Sequence, residues 1–112
     1  MKVCLKVNKY KNIKTVVDGI TFDSKKEAAR YSDLKLLEIA HHIMHLETQP
    51  RFPLMVNGKQ VATYIGDFKY WSPLENDWIV EDVKSEATKT STYRLKKKIL
   101  EAQEPPVIIT EI

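Results

Sequence analysis

Three residues in the second half of the chain have types and spacing that could do chemistry: Asp67, Asp82 and Lys84. They lie in two segments rich in aromatic and β-branched residues, Gly66-Asp67-Phe68-Lys69-Tyr70-Trp71 and Trp78-Ile79-Val80-Glu81-Asp82-Val83-Lys84, either side of Ser72-Pro73-Leu74-Glu75-Asn76-Asp77. The pattern predicts two strands about a short turn. If Ser72 pairs with Asp77, the ladder sets Asp67 opposite Asp82. Side chains directly opposite stand roughly 4.5–5.5 Å apart at Cβ, where like charges repel. Lys84, two residues beyond Asp82, points to the same face. Two carboxylates and a lysine would then converge on one patch of sheet, which makes physical sense with a cation between the carboxylates. Mg²⁺ takes oxygen ligands and is commonly held by one or two carboxylates together with substrate phosphates.

The elements that must position this patch follow from the rest of the chain. Ser24 with Glu27 three residues on is a capping box, and helical residues run from there to about His41. Glu27, Tyr31, Leu34 and Glu38 share one stripe of that helix. Glu27 therefore has two readings: it closes the helix start, or it reaches the acidic patch on the sheet the helix covers. Before the helix, residues 1–22 alternate weakly and read as short strands or an arm, with a turn at Asp18-Gly19. This arm carries Lys2, Lys6, Lys9, Lys11 and Lys14 with no acid before Asp18, as a frayed terminus or a phosphate-contacting segment would.

After the helix, His41, His42 and His45 lack the further ligands of a zinc site and read as polar residues at a helix end. Ile43 to Glu47 is a short strand that Gln49-Pro50 ends. Residues 52–56 form the next strand, followed by the turn Asn57-Gly58. The expected central sheet is an antiparallel meander of residues 52–56, 61–71 and 78–84. Lys69 would share a face with Asp67, as a surface lysine that eases the carboxylate repulsion or as part of the patch. A second helix runs from about Ser91 to Gln103, with Leu95, Ile99 and Ala102 as its apolar stripe. Lys89, Arg94, Lys96, Lys97 and Lys98 lie on or just before it without an intervening acid. Such a run is a solvated face or a phosphate-contacting one. With Leu95 buried, Arg94 and Lys98 share one flank, and they are expected to contact phosphate more than Lys96 does. Residues 107–110 form the last strand.

Composition bounds these readings. The 112 residues with net charge +3 make one domain, residues 1–112, comprising an N-terminal β arm over 1–20 and a core over 21–112. The single cysteine, Cys4, rules out an intramolecular disulfide and fits a reducing compartment. No apolar run approaches the roughly 18 residues of a membrane span, and the first residues lack the apolar core of a signal peptide. The expectation is a soluble cytoplasmic protein of α+β class: a mixed central sheet flanked by two helices in the order αβββαβ, with an N-terminal β extension.

Glu27 on the first helix, Asp67 on the hairpin and Asp82-Val83-Lys84 after it resemble, in order and on the right elements, the PD-(D/E)XK nuclease superfamily. The run from Gly19-Ile20-Thr21-Phe22-Asp23-Ser24-Lys25-Lys26-Glu27-Ala28 through Gln49-Pro50 to Glu81-Asp82-Val83-Lys84 is also similar to a branch of small phage-borne proteins long catalogued as a domain of unknown function. Gly66 stands where the superfamily's name has proline. The resemblance implies a restriction-endonuclease-like fold and a Mg²⁺- or Mn²⁺-dependent DNA endonuclease. Asp67, Asp82, the Val83 carbonyl and Glu27 would hold the metal. Lys84 would orient or deprotonate the attacking water, and Gln49 would contact the scissile phosphate or make a turn hydrogen bond. Arg94, Lys98, Lys97 and Lys89 are the expected DNA contacts. Branched DNA or Holliday junctions are the expected substrates, in a bacterial host cell, with a homodimer making the paired cuts. A nicking or restriction-like nuclease, or a catalytically idle nucleic-acid-binding or assembly module, are the alternatives.

Overall fold

The computed structural model describes residues 13–112, so Lys2, Lys6, Lys9 and Lys11 of the basic arm lie outside the described residues. Asp18 and Gly19 both have positive φ, 52° and 76°, as a two-residue hairpin turn requires. They join β1 (Thr15–Val17) to β2 (Ile20–Phe22) antiparallel. Helix α1 (Lys25–Ile39) starts where Ser24 Oγ accepts the Glu27 N–H at 3.1 Å. It stops two residues short of His41, whose φ of 63° leaves the helical region. Next come β3 (Met44–Thr48), β4 (Arg51–Val56), β5 (Lys59–Ile65), β6 (Phe68–Ser72), β7 (Asp77–Asp82), a 3₁₀ turn over Glu86–Thr88, α2 (Ser91–Ala102) and β8 (Ile109–Glu111).

The main sheet has the order β3-β6-β7-β8, antiparallel except for the parallel pair β7–β8. The chain is therefore α+β with a mixed sheet, and α1, β3, β6, β7, α2 and β8 follow one another as the expected αβββαβ order. The expected meander is corrected in one respect. Its first strand is 44–48, not 52–56, and the run 61–71 is divided at Gly66-Asp67. Strands β4 and β5 form a separate hairpin turned by Asn57 and Gly58. The division has a physical cause. The Gly66 N–H donates to Pro50 O at 2.9 Å, whereas the Asp67 N–H donates to Glu81 O at 3.0 Å, so the chain changes partner between these two residues. A Cβ on Gly66 would meet Val80 Cγ1 at 3.3 Å and Pro50 Cγ at 3.4 Å. Proline at 66 would also lose the bond to Pro50, since it has no N–H.

Each face of the sheet buries its own core. On one face α1 and the β1–β2 hairpin enclose Phe22, Tyr31, Leu34, Phe68 and Tyr70, with the Phe22 and Tyr31 rings 5.1 Å apart. Glu81 belongs to this face and is 1% exposed. Its carboxylate accepts from Arg30 Nε at 2.7 Å and Nη2 at 2.6 Å, and from the Tyr70 hydroxyl at 2.5 Å. On the other face α2 and the β4–β5 hairpin enclose Leu54, Tyr64, Val80, Tyr93, Leu100 and Ile109. The expected stripe of α2 is thereby corrected. Tyr93 and Leu100 are buried, while Leu95 is 60% exposed and Ala102 also faces out. The ring of Tyr93 packs beside Tyr64 at 6.2 Å, and this larger surface turns the helix.

Removing Arg30 leaves Glu81 charged in the core with the Tyr70 hydroxyl as its remaining side-chain donor. Arg30→Ala should lose about 3 kcal/mol of folding stability in urea titration, and adding Glu81→Gln should restore part of it. Equal stability of wild type and Arg30→Ala would contradict this account of the α1 face.

Candidate functional site

The β6–β7 ladder runs from Ser72–Asp77 to Phe68–Glu81, the register expected from the turn. Asp67 and Asp82 follow at the end of the sheet where the chain enters from β5; the regular ladder stops at Phe68–Glu81, and the two carboxyls remain close enough to interact. Asp82 is 2% exposed. Asp67 is held from three directions: its carbonyl accepts the Gln49 N–H at 2.9 Å, its N–H donates to Glu81, and its Oδ2 accepts the Val83 N–H at 2.7 Å. Glu27, in the first turn of α1, is buried, and its carboxyl interacts with Asp67, Asp82 and Lys84. Ser24 makes its half of the capping box, and Glu27 turns its carboxyl toward the sheet.

Three acids so placed cannot all be charged cheaply. Burial first, and then the neighbouring Asp82 and Glu27, push the Asp67 carboxyl up to about 8. Burial and Asp23 push Glu27 up to about 7, with Asp82 adding to the effect. Lys84 is the nearby cation: its Nζ stands 3.7 Å from Asp82 Oδ1 and 4.4 Å from the centroid of the Tyr93 ring.

Several partners of this site carry no motif in the sequence. The Tyr64 hydroxyl donates to Asp82 Oδ2. Burial and this hydrogen bond raise the Tyr64 hydroxyl far above its ordinary range, so it stays protonated. The Tyr93 hydroxyl donates to Glu111 Oε2 at 2.6 Å. The Ile112 N–H donates to Asp82 O at 2.9 Å, so the end of β8 braces the same residue from behind. Lys96 donates to Thr63 O at 3.2 Å and lines an open cleft of about 270 Å³ together with Asp82, Lys84, Tyr64 and Tyr93. The one available signal was Tyr93 three residues after Thr90, whose hydroxyl caps α2.

The remaining expected residues divide. Val83 follows Asp82 and gives its N–H to Asp67, as described. Gln49 has a φ of 51°, and its backbone N–H reaches across to Asp67 O, a long-range main-chain bond and not a turn hydrogen bond. Lys69 points away: its Nζ lies 4.8 Å from the Trp78 ring centroid, at the other end of the strand. His41, His42 and His45 are exposed. The rotation of α2 makes Lys96 the member of the basic run that lines the cleft. Arg94 and Lys98 lie on the other flank, beside Lys89 and Lys97. There Glu111 takes Lys89 at 3.4 Å and Glu101 takes Lys97 at 3.9 Å.

The oxygens of Glu27, Asp67 and Asp82 are hard donors that suit Mg²⁺ or Mn²⁺. Among the described residues no group of three or more His, Cys, Asp or Glu side chains is arranged to hold a metal ion as it stands. Burial raises Glu27 and Asp67 first and the neighbouring carboxylates add to it, and a nearby cation would offset both effects.

Fold and site together define an α+β domain with a buried carboxylate cluster and one adjacent lysine. The chain belongs to the family described as protein of unknown function (DUF1064), whose model matches residues 7–112. No curated protein and no solved structure matches it. Among the described residues no helix is long and apolar enough to cross a membrane.

The raised carboxyls make a pH prediction. Folded Glu27 and Asp67 hold protons that the unfolded chain releases near its ordinary values of 4.5 and 3.8. Their contribution to stability is therefore full below about pH 4 and is lost as pH rises toward about 8. Glu38 and Glu111, lowered by the Leu46 N–H and the Tyr93 hydroxyl, act in the opposite sense, and only below about 4.5. In a chelator, urea midpoints should fall between about pH 5 and 8, and Asp67→Asn should flatten the fall. A wild-type midpoint that rises over that interval would contradict the shared-proton cluster.

Proposed function

We propose that this protein is a metal-dependent DNA endonuclease of the PD-(D/E)XK type, hydrolysing phosphodiester bonds at the Asp67–Asp82 end of the sheet. The observation that carries the reading is the convergence of Glu27, Asp67 and Asp82, from three separate segments, on one patch beside Lys84. An unsupported cluster of buried like charges is costly. A site that uses a divalent cation and a phosphate gives the cluster a purpose.

Each side chain then has a task. Asp67, Asp82 and Glu27, with the Val83 carbonyl, hold the divalent ion. When bound, the ion supplies charge neutralisation at the phosphate and lowers the pKa of water. Lys84 faces the phosphate from beside Asp82, orients the attacking water and stabilises negative charge as the phosphorus–oxygen bond to the leaving group breaks. The Tyr93 ring keeps the Lys84 ammonium in place. Lys96, across the cleft, offsets the charge of the bound strand. The proposed substrate is branched DNA, such as a Holliday junction. It would be cut by a homodimer in the cytoplasm of a bacterial host, the protein being phage or prophage encoded.

A second reading is a nucleic-acid-binding domain without catalysis. Its support is that Tyr64 and the Val83 N–H already engage one oxygen each of Asp82 and Asp67. A plasmid nicking assay separates the two. The nuclease reading expects nicking in Mg²⁺ or Mn²⁺, none in EDTA, and a loss of at least about a hundredfold in Asp82→Asn and Lys84→Ala with the circular dichroism of both unchanged. DNA binding without cleavage in any divalent ion would favour the second reading.

A further inference from the structure

We propose that the cavity between the start of α1 and the 85–88 turn is a second phosphate subsite, taking the backbone linkage next to the one cut. The inference rests on the nucleic-acid reading above and adds to it where the strand runs. The cavity holds about 200 Å³, and its polar lining is Lys25, Lys26, Ser24, Ser85, Thr88 and Lys84. That is smaller than the roughly 300–1,000 Å³ of pockets for drug-sized ligands, a size for a phosphodiester with part of its sugar. Ile13 and Val83 supply the apolar wall against which a sugar packs.

Charge distinguishes this cavity from the basic face of α2. Among its described lining residues none is Asp or Glu. The concavity of Lys89 and Lys97, in contrast, contains Glu101 and Glu111, which pair with those lysines. Asp23, close in sequence, stands 4.0 Å from Lys14. An anion therefore gains more from Lys25 and Lys26 than from the longer basic run. Lys26 is also placed by the fold: its Nζ donates to Lys84 O at 3.4 Å and Ile112 O at 3.1 Å. An ammonium has three donors, so one remains for a ligand. The turn is held by the Ser85 N–H to Thr88 Oγ1 at 2.9 Å and the Thr88 N–H to Ser85 O at 3.0 Å, which fixes both hydroxyls at the rim.

Lys84 lines this cavity as well as the cleft over Asp82. Groups bound in the two are separated by a single side chain, so they are neighbouring linkages of one strand. Lys25 is the residue to test, because Lys26 also supports the backbone of Lys84.

The experiment places one neutral methylphosphonate at each linkage in turn along an oligonucleotide. Binding is read by fluorescence anisotropy at several salt concentrations, in chelator and in Ca²⁺. Wild type should lose affinity at two nearby linkages. Lys25→Ala, with unchanged melting temperature, should bind unmodified DNA several-fold more weakly, with a salt slope shallower by about one. It should lose sensitivity at one of the two linkages only. A single sensitive linkage in wild type, or both sensitivities persisting in Lys25→Ala, overturns the subsite and leaves the nuclease reading standing. Absence of DNA binding by wild type in either condition overturns the nucleic-acid reading and the subsite with it.

Discussion

Asp67 and Asp82 lie side by side at one end of a two-stranded ladder, and much of the structure serves to keep them there. Like charges across a strand pair repel, so nothing local holds this arrangement. The register is fixed at the other end of the hairpin, by the Ser72–Asp77 pairing. It is fixed again from behind, by the bonds of Asp67 to Gln49 and Glu81. Glu81 ties β7 to α1 through Arg30 and to β6 through Tyr70, and α1 in turn carries Glu27 to the patch. The acids come together because neutral and paired contacts around them are strong enough to oppose their repulsion.

The opposite side of the patch is organised by two tyrosines. Tyr64 from the β4–β5 hairpin binds Asp82, and Tyr93 from α2 holds the Lys84 ammonium while tied to Glu111 on β8. Two otherwise peripheral elements, the inserted hairpin and the last strand, thereby reach the candidate site. Gly66 is the point where the chain passes from the inserted hairpin into β6, tightly enough that an added Cβ would press on Val80. The glycine that departs from the PD pattern suits this crossing.

What could be read from the sequence was local. The Asn57-Gly58 and Asp18-Gly19 turns, the Ser24 cap, the inward stripe of α1 and the hairpin register all follow from contacts between residues near in sequence. The neighbour of β6 did not. Residues 44–48 and 52–56 are both short and weakly alternating, and only the Gly66 crossing, a long-range contact, selects the first. The rotation of α2 was hidden for a related reason. Leu95-Ile99-Ala102 and Tyr93-Leu100 are both plausible apolar stripes, and the choice depends on Tyr64 and Leu54 of a separate hairpin. Glu27, Asp67, Asp82 and Lys84 were legible because strand and helix periodicity fix the face each one occupies.

The central claim is that the carboxylate cluster is built for a divalent cation. Thermal melting in a chelator and in millimolar Mn²⁺ tests it without any nucleic acid. An ion that binds only the folded chain raises the melting temperature by mass action. The account predicts a rise for wild type that Asp67→Asn and Asp82→Asn largely abolish. Melting temperatures for wild type that are identical in chelator and Mn²⁺ would contradict it.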